Sequence, residues 1–182
     1  MTEQTLQGKQ VAFLVAPEGV EQVELTGPWE AVRDAGATPH LVSTESGTVQ
    51  AFHHLDRGDT FDVDVTVADA AIGDYAGLVL PGGVANGDFL RTDRAAVDMV
   101  KGFLSGGKPV AAICHAIWSL VETGVLEGRT VTSWPSLQTD VRNAGATWVD
   151  EEVVVDGRLV TSRKPDDIPA FNKAFLELLA TS

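Results

Sequence analysis

Lys108-Pro-Val-Ala-Ala-Ile-Cys-His-Ala-Ile-Trp118 is the stretch that decides how this chain is read. Val110 to Ile113 holds no polar residue, as a strand in a parallel sheet covered on both faces requires. The apolar run breaks at Cys114 and passes at once into a helix expected from about His115. Ala112 and Ala116 stand two residues to either side of Cys114. This is the small-x-nucleophile-x-small pattern of a nucleophile elbow, with Cys for Ser and Ala for Gly. Small side chains are needed because strand and helix backbones meet closely at so sharp a turn. The turn would lift the Cys114 sulfur out of the sheet at a helix N-terminus. Partial positive charge there favours a thiolate and should lower the thiol pKa. A free cysteine is also a common core residue, and the local pattern leaves that alternative standing.

Strand and helix signals alternate on both sides of this stretch. Val11 to Ala16 is a short apolar run, and Pro17-Glu-Gly-Val-Glu-Gln then turns toward a helix over about Val23 to Ala35. Val23, Leu25, Trp29 and Val32 are its expected inward positions, with Pro28 in the first regular turn and Gly36 at the end. Pro39 to Ser43 reads as a second strand. Val49 to Phe52 and Phe61 to Val65 are weaker strand candidates around the polar loop His53 to Asp59, and Val67 to Ala71 suggests a short helix. Gly77-Leu-Val-Leu-Pro81 is a buried strand ending in Gly82-Gly83, followed by a polar loop with Asn86, Gly87 and Asp88. A helix capped by Thr92 runs to Ser105. After the elbow come a short strand at Thr130 to Thr132 and a helix at Leu137 to Ala144. A hairpin follows around Asp156-Gly157, then a last helix over Ala170 to Ala180. The fold class is therefore α/β, a three-layer α/β/α sandwich with a flavodoxin-like, mostly parallel sheet and a nucleophile elbow. Ligands of such sheets bind beyond the carboxyl ends of the strands. Three places fall there: the loop after the first strand, the Gly82-Gly83 turn, and Cys114.

Composition narrows the function classes. The 182 residues suit one domain, 1–182, and 44% apolar content argues against disorder. The formal net charge of −13 argues against nucleic acid held in a basic groove and against an anionic membrane surface. One cysteine makes no internal disulfide, which fits a reducing cytoplasm. The polar N-terminus has no apolar signal-peptide segment, and no run approaches a membrane span. His53 and His54 are adjacent and lack companion ligands, so no metal is expected, and no cofactor motif is present.

The order of motifs resembles the PfpI/ThiJ family of the class I glutamine-amidotransferase-like fold. The first block is Val15-Ala-Pro-Glu-Gly-Val-Glu-Gln-Val-Glu-Leu, the second Val79-Leu-Pro-Gly-Gly, and the third Pro109 to Trp118. Thr132-Ser-Trp-Pro-Ser-Leu, Asp140 to Asp150 and Val160 to Phe171 look like the bacterial stress-protein branch. The resemblance covers nearly the whole chain. It implies that Cys114 is the reactive cysteine and that Glu24 is the carboxyl group against its sulfur. A carboxylate beside a thiolate is a like-charge pair, so one of the two must keep a proton. A surface acid at a helix start is the other reading of Glu24. His115 is implied as a catalytic partner, against a solvated helix-start residue. Asp88 matches an acid that a neighbouring subunit supplies in the peptidase branch, against a solvated loop residue. Gly82 and Gly83 resemble backbone donors that form an oxyanion pocket with the His115 N–H, against an ordinary turn. Trp134 lies where relatives often carry Tyr.

The resemblance implies a cysteine-dependent, cofactor-free stress-response enzyme. Its expected substrates are small carbonyl compounds or glycated proteins and nucleotides, handled by deglycase or glyoxalase chemistry. An intracellular cysteine peptidase and a redox sensor working through Cys114 oxidation are the alternatives. A homo-oligomer, dimer or hexamer, is implied. A glutamine-amidotransferase triad fits less well, because no histidine follows His115.

Overall fold

Covering both faces of a sheet requires strands that are apolar on both sides, and the central strands here meet that condition. The computed structural model describes residues 6–182; Met1–Thr5, part of the polar N-terminus considered above, lies outside the described residues. In chain order the first half is β1 (Gln10–Val15), β2 (Glu18–Glu21), α1 (Gln22–Asp34), β3 (Thr38–Ser43), β4 (Thr48–His53), β5 (Asp56–Asp62), β6 (Val65–Thr66), β7 (Gly77–Leu80), α2 (Val84–Thr92) and α3 (Arg94–Ser105). There follow β8 (Val110–Ile113), α4 (Ile117–Thr123), β9 (Thr130–Val131), α5 (Gln138–Asn143), β10 (Thr147–Trp148), β11 (Val154–Asp156), β12 (Leu159–Ser162) and α6 (Ile168–Ala180). The main sheet has seven strands in the order β11-β12-β8-β7-β1-β3-β6. Every pairing in it is parallel except β11 with β12.

Alternate residues of the central strands enter two separate cores. Ala12, Leu14, Leu78, Leu80, Val110 and Ala112 pack with Met99, Val100 and Phe103 of α3 and Ile117 and Leu120 of α4. Val11, Phe13, Val79, Ala111 and Ile113 pack on the other face with Leu25 and Val32 of α1 and Phe171 and Phe175 of α6. This is the three-layer sandwich. Burial of each large side chain contributes about 1.5–3 kcal/mol. Because β1, β7 and β8 run parallel, their carboxyl ends emerge on one side of the sheet. Among the described residues no helix is long and apolar enough to cross a membrane.

Several local expectations are corrected. Glu18–Glu21 forms a strand, β2, where a turn was expected, and joins β4 and β5 in a second, three-stranded sheet. The polar run His53 to Asp59 is a hairpin, not a loop; Phe52 pairs with Arg57 and His53 with Asp56 around His54-Leu55. Pro28 sits inside α1 rather than at its start, because the helix begins at Gln22. Tertiary packing of buried Leu25, Pro28 and Val32 overrides a propensity cost of about 3 kcal/mol. Val23 is exposed, not inward. Val67 to Ala71 makes turns, and a 3₁₀ turn follows at Ile72–Asp74. Helix α2 occupies the expected polar loop, and Asp93, not Thr92, caps α3 by accepting the Ala96 N–H at 2.8 Å. Replacing Asp93 with Ala should cost about 1 kcal/mol, read as a shift in the urea midpoint.

Candidate active site

The strand β8 ends at Ile113, and Cys114 takes φ of +63°, a left-handed conformation that a side chain adopts at a cost. Its carbonyl accepts the Trp134 N–H at 3.3 Å. A 3₁₀ turn, Cys114–Ala116, then leads into α4 from Ile117, so the regular helix starts later than His115. Ala112 and Ala116 are both buried against this turn. The result is an elbow with the sulfur 3.1 Å from His115 Nδ1. The imidazole lies stacked on Trp134, at 5.7 Å between ring centroids, and edge-on to Trp118 at 5.3 Å.

Glu24 reaches the sulfur from the first turn of α1 and is completely buried. Its position follows from β2, whose last residue, Glu21, donates its N–H to the Gly82 carbonyl at 3.2 Å. Gly82 fills the space between acid and thiol. A Cβ there would stand 2.1 Å from Glu24 Oε2 and 2.6 Å from Cys114 Cβ. Gly83 has φ of +97°, and its Cβ would stand 2.2 Å from the Gly19 carbonyl oxygen. Both glycines are therefore demanded by close approach, which an ordinary turn does not explain. The Gly83 and His115 N–H groups act electrostatically on the Cys114 sulfur, and the Gly82 N–H on the Glu24 carboxyl, each favouring the charged form. Neither Glu24 oxygen attains hydrogen-bond geometry with any described group.

Burial governs protonation here. It raises the Glu24 carboxyl to about 8, with help from the nearby Glu21 carboxylate. It also pushes the Cys114 thiol well up, Glu24 being the next cause, while the His115 and Gly83 N–H groups pull the other way. The expected fall in the thiol pKa is thus corrected: a cysteine only 7% exposed loses more from desolvation than it gains from a three-residue turn and a short helix. Burial lowers the His115 pKa, so its ring is neutral near pH 7 and can accept the thiol proton. The acid therefore stands protonated beside the sulfur, which removes the repulsion between them.

The sulfur opens into a cleft of about 710 Å³. Glu24, Gly83, Asp88, Cys114 and His115 all line it, as do Trp118, Trp134 and the hairpin residues Phe52, His54 and Leu55. Asp88 lies on α2 rather than in a loop and is exposed, and within the described chain it forms no hydrogen bond or ion pair with His115. His54 is held by its N–H, which donates to Glu21 Oε2 at 3.0 Å. Among the described residues no group of three or more His, Cys, Asp or Glu is placed to hold a metal. Three contributors were missed from sequence. Trp118, at the end of the elbow motif, donates its Nε1–H to Asp140 at 2.9 Å. Leu55, 95% exposed, lies in a stretch whose polarity signals only a loop. Asn86 lies in a polar stretch of the same kind, yet it is fully buried beside Gly82. The spacing of Asn86 after Gly82-Gly83 was the available signal.

The DJ-1/PfpI family model matches residues 9–178. The chain is 41% identical to Deglycase PH1704 of Pyrococcus horikoshii, over 93% of this chain and 98% of the relative. It is 37% identical to YraA of Bacillus subtilis, which carries a provisional cysteine-protease name, over 94% and 98%. Among solved structures, Drosophila melanogaster DJ-1beta superposes with a TM-score of 0.84 at 29% identity, covering 94% of this chain and 91% of that one. With a family model that spans most of the chain and a relative 41% identical over nearly its whole length, the chain belongs to the DJ-1/PfpI family.

Proposed function

We propose that the cleft is the active site of a cysteine-dependent, cofactor-free deglycase or glyoxalase-type enzyme acting on methylglyoxal and its adducts. The observation that carries this reading is one sulfur facing a neutral imidazole, a buried acid and backbone donors in an open cleft. The deglycase names of close relatives support the reaction class.

With methylglyoxal, the Cys114 sulfur adds to the aldehyde carbon as His115 Nδ1 takes the thiol proton. The carbonyl electron pair moves onto oxygen, where the Gly83 and His115 N–H groups hold the charge. Glu24 supplies the proton that completes the hemithioacetal hydroxyl and so becomes a carboxylate. An amine adduct reaches the same species by expelling its amine. Glu24 then takes the proton from the former aldehyde carbon and delivers it to the neighbouring ketone carbon. The hydroxyl proton passes to the ketone-derived oxygen, and the proton held by His115 is returned to Glu24 at the end of the cycle. One carbon is thereby oxidised and the other reduced, leaving a thioester. Water cleaves it, the C–S bond breaks, and lactate leaves with the thiol restored.

Lactate should accumulate from methylglyoxal with the wild type, and Cys114→Ser should lower the rate at least about 10³-fold. Equal lactate from both proteins removes the proposal. The protease name of the Bacillus relative favours a second reading, in which a second copy of the chain brings Asp88 to His115. Cys114-dependent casein cleavage without lactate would replace the first reading with that one.

A further inference from the structure

We infer that Asn86 is the positioning residue of this site: its carboxamide grips two successive carbonyls and thereby aims the next two backbone N–H groups at Glu24 and Cys114. The inference rests on reading Cys114 as the nucleophile. Asn86 lies in the first turn of α2 with no exposed surface. Its Nδ2 donates to the Pro81 carbonyl at 2.9 Å and to the Gly82 carbonyl at 3.2 Å. Its Oδ1 accepts the Ala16 N–H at 2.7 Å, just past the end of β1.

A trans peptide directs its C=O and N–H to opposite sides, and no described peptide is cis. Holding the Pro81 carbonyl on one side therefore sends the Gly82 N–H to the other, toward the Glu24 carboxyl. Holding the Gly82 carbonyl sends the Gly83 N–H toward the sulfur. The third bond ties the same carboxamide to the segment that leads through β2 to Glu24. One side chain thus sets the directions of both donors and ties the end of β1 to the turn that follows β7. The Glu21 N–H also bonds the Gly82 carbonyl, so removing Asn86 weakens the aim of the Gly83 N–H without abolishing it.

The test is the pH dependence of Cys114 alkylation by iodoacetamide in wild type, Asn86→Ala and Asn86→Asp, with folding followed by circular dichroism. Asp keeps the shape and loses both donors when ionised. In the folded variants the alkylation rate should fall about tenfold throughout the range pH 7 to 9. The kcat for methylglyoxal should fall by a similar factor with KM unchanged. An unchanged alkylation rate in a folded variant overturns the inference. Should neither variant fold, NMR of the wild type decides: the Gly82 and Gly83 amides and the Asn86 carboxamide should shift together as the site titrates. A carboxamide that stays still overturns it. Normal alkylation with no lactate would defeat the proposed reaction and leave the role of Asn86 intact.

Discussion

Replacing Glu24 with Gln should yield a protein that is more stable at pH 8 than the wild type and nearly inactive. The native carboxyl holds its proton to about 8, against 4.5 as the ordinary value. Between those values the unfolded chain has released a proton that the native chain keeps. The native state then binds more protons, so stability falls as pH rises through this window and is fully retained below it. The shift corresponds to an upper figure of about 5 kcal/mol lost by pH 8. Gln does not ionise and escapes this loss, although burying its amide without partners costs about 1–3 kcal/mol. A net gain of about 2–4 kcal/mol at pH 8 remains, turning to a loss of about 1–3 kcal/mol below pH 4.5. Urea unfolding at pH 4 and pH 8 checks it, and equal pH dependence in the two proteins rejects the assignment. Lactate formation should drop at least about a hundredfold, because the group that carries the proton between carbons is gone.

Gly82→Ala should be among the most damaging single-methyl changes in the described chain. The added carbon would meet Glu24 Oε2 at 2.1 Å, Cys114 Cβ at 2.6 Å and the Ile113 carbonyl oxygen at 2.9 Å. The carboxyl group can swing only by entering packed surroundings, and the other two contacts belong to backbone or to the elbow itself. A penalty of about 3 kcal/mol or more follows, at the upper end for overpacked interiors. Fold stability by urea titration and Cys114 alkylation should both change, the second even in molecules that remain folded. A variant with wild-type midpoint and wild-type alkylation would contradict the geometry around Gly82.

How much of this was legible depended on whether a residue announced itself to its sequence neighbours. Val110 to Ile113 and Gly77 to Leu80 are apolar on both faces and bounded by turn residues, so the two central strands and the elbow could be read directly. Glu24 and the glycine pair were recognisable by resemblance, and the structure places both beside Cys114. Strand β2 was not readable, because Glu18-Gly-Val-Glu is half charged and owes its extended form to pairing with distant β4. Helix α2 was hidden for the opposite reason. Its first turn holds Asn86 and Gly87, poor helix formers, and each is required by something outside the helix. Asn86 binds two strand ends, and a Cβ on Gly87 would stand 2.7 Å from the His115 carbonyl oxygen. The thiol pKa was misjudged because the positive end of a helix is a local feature, whereas desolvation is set by every segment that closes over the sulfur.

The cleft also divides its labour between main chain and side chain. Its floor is made of peptide groups and of glycines with no room to grow. Its rim includes side chains such as Leu55 and Val84, which are 95% and 57% exposed on two separate segments. Exchanging those rim residues can alter which adducts are admitted while the chemistry beneath proceeds as before, so selectivity and turnover in this scaffold are separately adjustable.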